Sequence, residues 1–248
     1  MLLKSGKKDL LAWRAYSDRE SMGLAAASYC EGLIRALLAQ KAELRMIFAA
    51  APSQNEVLWH LAHSPNIPWE RIHAFHMDEY VGLDPAAPQG FGNFLRDRLF
   101  GLVPFKSVHY LKEPESYAAA LNEAPIDICC LGIGENGHIA FNDPWVADFN
   151  DPKTVKVVEL DQVCRQQQVN DGCFAKFDDV PTHALTLTVP TLFRGTYLFC
   201  SVPAKTKANA VHEMLTTDKI DEHCPCTILR RHDNAVLYCD ADSSSLLK

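Results

Sequence analysis

The stretch Leu131-Gly132-Ile133-Gly134-Glu135-Asn136-Gly137-His138-Ile139-Ala140-Phe141-Asn142-Asp143-Pro144 sets three glycines ahead of a histidine, with a carboxylate following it at Asp143. Glycines spaced this closely let a backbone take positive φ and approach a ligand. Gly132-x-Gly134-x-x-Gly137 has the spacing of a dinucleotide fingerprint, yet His138 and Asn142-Asp143-Pro144 would interrupt the helix that such a motif must open. A nucleotide cofactor is therefore not expected. A second stretch, His76-Met77-Asp78-Glu79-Tyr80, sets two acids at the end of an apolar run. A carboxylate facing a histidine is the minimum equipment for moving protons on and off a small substrate, and an imidazole, with an ordinary pKa of about 6.5, suits work near neutrality. Taken singly, each group has a plain structural role open to it, His138 as a hydrogen-bonded turn residue and Asp78 as a turn cap. Together they suggest chemistry.

The elements that would position them follow from the alternation of short apolar runs with longer amphipathic ones. Helices are expected from Ser17 to about Gln40, from Ser53 through Ala62, from Phe91 to Phe100, from Glu115 to Asn122 and from about Lys205 to Leu215. The first two open on apparent capping boxes, Ser17 with Glu20 and Ser53 with Glu56. Strands are expected at Leu44 to Ala50, Arg71 to Met77, Val108 to Leu111, Ile126 to Ile133, Val155 to Leu160, Ala184 to Val189, Tyr197 to Val202 and Ala235 to Cys239. Strands alternating with helices imply an α/β fold, a single domain with a doubly wound, mostly parallel sheet and helices on both faces. Ligands in such sheets bind at the carboxyl ends of the strands, which directs attention to the loops Ala51 to Asn55, Asp78 to Gly82 and Gly132 to Pro144.

Composition narrows the partners. With 248 residues, 48% hydrophobic and 22% charged, the chain is neither disordered nor fibrous and can bury a substantial core. Its net charge of -7, without a basic stripe, argues against nucleic acid or an anionic membrane as the main partner, so an anionic ligand must be held locally. No signal-like N-terminal run and no segment of the roughly 18 to 20 apolar residues needed to span a membrane is present, which points to a cytoplasmic protein. The 9 cysteines are odd in number and several sit in apolar runs, so reduced, buried thiols are expected. The one metal-like cluster, His223-Cys224-Pro225-Cys226, lacks a partner pair at zinc-finger spacing, and no metal site is expected.

Met77-Asp78-Glu79-Tyr80-Val81-Gly82-Leu83, together with Gly132-Ile133-Gly134-x-Asn136-Gly137-His138-Ile139-Ala140-Phe141-Asn142-Asp143-Pro144, closely resembles the glucosamine-6-phosphate deaminase (isomerase) family, with 6-phosphogluconolactonases as more distant relatives. The similarity runs from about Leu44 to Cys239 and is supported by Ala184-Leu185-Thr186-Leu187-Thr188-Val189 and Lys207-Ala208. The lactonases share the Gly-x-Gly-x-x-Gly-His part but not the others. The resemblance implies aldose-to-ketose isomerisation with loss of ammonia, turning an amino-sugar 6-phosphate into fructose 6-phosphate without a metal or organic cofactor. Asp78 matches the general base that shuttles a proton between substrate C2 and C1. His138 matches the histidine that assists ring opening, and Asp143 stands where a glutamate orients it and favours its charged form. A mobile lid would correspond to roughly 149–174. Lys207 matches a phosphate-binding lysine, with Lys205 close by.

Three departures from the family pattern carry expectations of their own. Asn136 replaces an aspartate, keeping hydrogen bonding without the charge. Asp143 is one methylene shorter than the glutamate, leaving room for a water between it and His138. Pro52-Ser53-Gln54-Asn55 replaces a Gly-Gly-Thr phosphate cradle, so Ser53, Gln54, Asn55 and Gly137 are the candidates for holding phosphate, aided by the helix N-terminus that begins there. The lid arginine of the family aligns with Gln168, and Arg165, one helical turn earlier, is the candidate substitute. Three functions remain open on the sequence: an amino-sugar-phosphate deaminase, a lactonase-like hydrolase that depends little on Asp78, and a sugar-phosphate-binding regulatory protein with little turnover. The resemblance leaves monomer and homo-oligomer both open.

Overall fold

The computed structural model describes residues 1–247. In chain order the strands are β1 (Leu2–Lys8), β2 (Leu11–Tyr16), β3 (Leu44–Phe48), β4 (Ile72–His76), β5 (Asp78–Tyr80), β6 (Ser107–His109), β7 (Ile128–Leu131), β8 (Val155–Glu159), β9 (His183–Leu187), β10 (Tyr197–Val202) and β11 (Ala235–Asp240). The helices are α1 (Arg19–Leu38), α2 (Asn55–Ala62), α3 (Phe91–Leu95), α4 (Pro114–Asn122), α5 (Gln162–Asn170), α6 (Val189–Phe193) and α7 (Ala208–Thr216). Eight strands form one sheet in the order β1-β2-β11-β10-β7-β3-β4-β6, parallel throughout except for β1 at its edge.

The inner strands read as unbroken apolar runs because both of their faces are covered. Successive residues of β7 show the consequence. Ile128 and Cys130 pack into a cluster with Met22, Ile34 and Leu58 of α1 and α2, whereas Cys129 and Leu131 enter the opposite cluster with Leu121 of α4 and Met214 of α7. The period of two along the strand thus divides a continuous hydrophobic run between two cores.

Sequence order reverses between β3 and β7. From β3 the chain builds outward through β4 to β6, then crosses to β7 and builds the other way through β10 and β11. The loops after β3 and β7 diverge at this junction and leave the crevice in which ligands of doubly wound sheets bind.

Several elements depart from the sequence reading. The hairpin β1–β2 was not expected, because every residue of β1 except Lys8 is exposed and the strand carries no one-sided apolar pattern. The segments expected as strands from Val155 and Ala184 are strands, but β8 and β9 join β5 in a separate antiparallel sheet instead of extending the parallel one. Both capping boxes are replaced by other arrangements. Asp18, not Ser17, caps α1 by accepting from Ser21 N at 2.7 Å. Ahead of α2, Pro52–Gln54 forms a 3-10 turn, and Glu56 reaches across to the Arg19 guanidinium at 2.9 and 3.0 Å. The expected helix from Phe91 changes to a π-helical turn at Arg96–Phe100. The lid candidate contains α5, capped by Asp161, whose carboxylate accepts from Cys164 N at 2.6 Å.

Candidate active site

The crevice holds a cavity of about 50 Å³ lined by Ala51 and Ser53 after β3, Asp78 at the start of β5, Gly132, Gly134, His138, Ala140 and Phe141 after β7, and Gln167 and Gln168 of α5. Four separate stretches of chain therefore converge. The histidine loop is fixed from below by Asn142, which is fully buried and donates to Ile139 O at 3.0 Å and Leu187 O at 2.8 Å. Phe141 N donates to Thr186 Oγ1 at 3.1 Å, tying the loop to β9. Ala140 pays for this path with φ +51, a conformation costly to any residue with a Cβ. At Gly134 a Cβ would lie 2.2 Å from the His138 ring, so only glycine lets the imidazole lie against the loop.

His138 is buried, and its Nδ1 lies 2.8 Å from Asp143 Oδ1. The contact is direct, so the shortened carboxylate needs no bridging water. Asn136 organises the pair: its Nδ2 donates to Asp143 Oδ1 and to Asp161 Oδ2, both at 3.0 Å, while its Oδ1 accepts from His138 N at 3.1 Å. An aspartate here could accept from His138 N but could not donate to two carboxylates. The amide is thus matched to Asp161, which the sequence reading did not single out. Burial opposes the charge of Asp143, but the adjoining imidazole and the Asn136 amide prevail and hold its carboxyl below the usual range.

Asp78 presents the opposite environment. It is 5% exposed, and its Oδ1 has no hydrogen-bond partner among the described residues. Burial, reinforced by the charge of neighbouring Glu79, pushes its carboxyl well above the ordinary value of 3.8. Glu79 points to the other side of the strand, where Phe91 N and Gly92 N donate to it at 3.0 and 2.8 Å. Two adjacent acids thus diverge, one held as a carboxylate by His76 and two amides and one left unsatisfied beside a cavity. Two carboxyls whose environments drive their proton affinities apart, here Asp78 and Asp143, are the mark of a divided acid-base site.

The roof comes from α5. Tyr80 Oη donates to Gln168 Oε1 at 2.9 Å, and Glu135 N donates to Gln167 Oε1 at 2.8 Å, so two consecutive glutamines fasten the helix over the cavity. Neither glutamine was singled out for that role, because the polar run Gln166-Gln167-Gln168 shows no periodicity that distinguishes an inward from an outward face. The aromatic wall is made by Phe91 and Phe141, stacked with ring centroids 5.4 Å apart, and by Tyr80.

The anion-binding candidates separate. Ser53 lines the cavity. Gln54 is buried but spends its amide on Ser201 O at 3.1 Å and Ser53 Oγ at 3.2 Å, and it packs against Gly132. Asn55 faces away and accepts from Arg98 Nε at 2.8 Å. Gly137 is set back from the cavity, against Cys224 and Cys226. Arg165 does not substitute for a lid arginine. Its guanidinium turns away from the cavity, donating to Phe177 O and Val180 O at 3.0 and 2.9 Å and stacking on the Phe177 ring at 4.2 Å. Lys207 is a buried cation of this region: it is 2% exposed, and its Nζ has no hydrogen-bond partner among the described residues and lies 3.8 Å from Asp171 Oδ2. Burial lowers its proton affinity, and the Asp171 carboxylate works against that fall. A buried ammonium with only one distant carboxylate and no hydrogen bond is costly unless a ligand completes it.

The family model described as glucosamine-6-phosphate isomerases/6-phosphogluconolactonase matches residues 17–238, which include every strand that builds the crevice. The chain belongs to this family. Among curated family members, glucosamine-6-phosphate deaminases from Bacillus cereus (strain B4264) and Bacillus thuringiensis (strain Al Hakam) are each 35% identical to it over 184 residues, covering 71% of this chain and 68% of theirs. A solved monomeric glucosamine-6-phosphate deaminase superposes with a TM-score of 0.83 at 25% identity, over 94% of this chain and 99% of that one. A 6-phosphogluconolactonase from Thermotoga maritima shares the fold with a TM-score of 0.73 at 22% identity, over 94% and 100% of the two chains. Among the described residues, no helix is long and apolar enough to cross a membrane.

Proposed function

We propose that this protein is a deaminating aldose-ketose isomerase of an amino-sugar 6-phosphate, releasing ammonia and forming fructose 6-phosphate. The observation that carries the reading is the unsatisfied carboxyl of Asp78 on the same cavity as His138, whose Nδ1 is set against Asp143. The 35% identical relatives named glucosamine-6-phosphate deaminases support it.

The chemistry then runs as follows. His138 transfers the proton that opens the sugar ring, and the Asp143 carboxylate stabilises the imidazolium formed on the way. Asp78 removes the proton from C2 of the open aldehyde, leaving an enolamine, and returns it to C1. Water adds to the resulting imine at C2 and ammonia leaves, so one water is consumed for each ammonia released. A carboxyl with a raised proton affinity is the stronger base once ionised, which suits it to a carbon acid. Lys207 meets the phosphate, with Ser53 and the backbone before α2 contributing neutral donors. A cavity of about 50 Å³ is far below the roughly 300 Å³ at the low end of ligand sites, so α5 acts as the lid and lifts to admit substrate.

The test is to incubate the purified protein with glucosamine 6-phosphate and galactosamine 6-phosphate and to measure ammonia and ketose phosphate. Equimolar appearance of both products supports the reading. Their joint absence at high enzyme concentration overturns it.

A further inference from the structure

Cys224 and Cys226 flank Pro225 at the start of a 3-10 segment, Pro225–Arg231, and their sulfurs lie 3.5 Å apart. Both are buried, Cys224 at 3% exposure and Cys226 at 0%. The pair lies directly behind the histidine loop. Cys226 N donates to Gly137 O at 2.9 Å, and a Cβ built on Gly137 would meet Cys224 Sγ at 3.0 Å and Cys226 Sγ at 3.5 Å. Gly137 holds φ +83 and immediately precedes His138. The main chain around Cys224 is fixed by Thr227, whose N and Oγ1 donate to Cys224 O at 2.9 and 2.7 Å.

We propose that Cys224-Pro225-Cys226 is an oxidative modification site, in which a peroxide converts the two thiols to an intramolecular disulfide that displaces Gly137 and with it the His138 loop. The step balances. The sulfur of Cys224, the less buried of the two, attacks the peroxide oxygen and becomes a sulfenic acid, releasing water. The sulfur of Cys226 then attacks the Cys224 sulfur, the S–O bond breaks, and the departing hydroxide takes up the Cys226 proton as a second water. Two thiols and one hydrogen peroxide give one disulfide and two waters. The S–S bond is about 2.05 Å long, so the sulfurs must approach by about 1.5 Å. That movement pulls on the Cys226 N–H bond to Gly137 O and withdraws the surface against which Gly137 packs. The thiol contact with Cys224, together with burial, pushes the Cys226 thiol up, so the site responds slowly and to sustained oxidant.

The experiment exposes the folded, full-length protein to hydrogen peroxide, alkylates the remaining thiols and maps the cysteines by mass spectrometry. Hydrogen exchange is followed in parallel across 132–138. The expected result is a Cys224–Cys226 bridge, reversed by dithiothreitol, with faster exchange at Gly137 and His138 and about tenfold lower ammonia release. Cys226→Ala and Cys224→Ser should show neither the bridge nor the faster exchange. Separate alkylation of Cys224 and Cys226 after other cysteines have oxidised overturns the proposal. So does a bridge that leaves exchange at 132–138 unchanged. Mapping and exchange need no turnover, so they stand even if the deaminase reading fails.

Discussion

The loops after β7 and β3 face each other across the crevice, but they are built on different physical terms. The β7 loop is over-determined: Asn136, Asn142 and Asp143 each hold part of it, and their partners are other loop residues, Asp161 or β9. The β3 loop is tied mainly to distant elements, by the Gln54 amide donating to Ser201 O, the Arg19 guanidinium donating to Pro52 O and Arg98 Nε donating to Asn55 Oδ1. Proton transfer tolerates little misplacement, whereas a phosphate can be met by cations and amides from several directions. On the proposed function, the catalytic end keeps the base and the histidine, Asp78 and His138, with Asn136 and Asp143 altered around them, whereas the anion end keeps Lys207 and replaces the glycine cradle and the lid arginine with Ser53 and the glutamines of α5.

The largest effect that would sharpen this contrast is at Asp78. Asp78→Asn should lower turnover about 10³-fold in an ammonia-release assay. It should also raise the melting temperature near neutral pH. For a carboxyl whose proton affinity is raised by burial, folding is penalised progressively as pH rises from the ordinary 3.8 towards the native value, and the full cost persists above it. The gain should accordingly vanish below about pH 3.8. For the same reason, the acid limb of the wild-type rate profile should lie above the ordinary carboxylate range. A limb near 3.8 would contradict an unsatisfied, buried base.

Next in size is Asp143→Asn, with about a 10²-fold loss in turnover, since an amide can no longer stabilise the imidazolium. Asn136→Asp should do nearly as much harm by placing a third carboxylate against Asp143 and Asp161, and its loss should be partly relieved at lower pH. Equal activity at all pH values would show that the amide does not organise the pair.

At the anion end, Lys207→Met should raise KM for the phosphorylated sugar about tenfold with a smaller change in kcat. The smallest effect is expected at Arg165. Arg165→Ala should leave KM within about twofold and cost about 1 kcal/mol of stability through the lost Phe177 stacking and carbonyl bonds. A large rise in KM instead would return Arg165 to the site and erase the distinction between the two ends.

The sequence made the catalytic end legible because its signals are local. Asp78 closes an apolar run, and Asn136, His138 and Asp143 lie within one glycine-rich loop, so type and spacing alone bring them together. The anion end depends on which way side chains turn on α5 and on the 3-10 turn before α2. A single helical turn separates Arg165, whose guanidinium runs to Phe177 O and Val180 O, from Gln168, which lines the cavity, and no apolar stripe in Gln162–Asn170 distinguishes the two. The separate small sheet was hidden for a related reason. β8 and β9 look like any other apolar strands, and their placement in a sheet with β5, through β9, is decided by tertiary contacts. The hairpin β1–β2 was missed because an exposed edge strand needs no hydrophobic face.

In the proposed reaction Asp78 carries the proton between C2 and C1 with His138 and Asp143 at the ring. Assaying ammonia and fructose 6-phosphate together from glucosamine 6-phosphate, with wild type and Asp78→Asn side by side, reads out that role. Equimolar products from the wild type, and near-complete loss of both in the variant despite a raised melting temperature, are the predicted result. Undiminished product formation by the folded variant, or acid release from 6-phosphogluconolactone that is independent of Asp78 and unaccompanied by any ammonia-releasing activity, would contradict it.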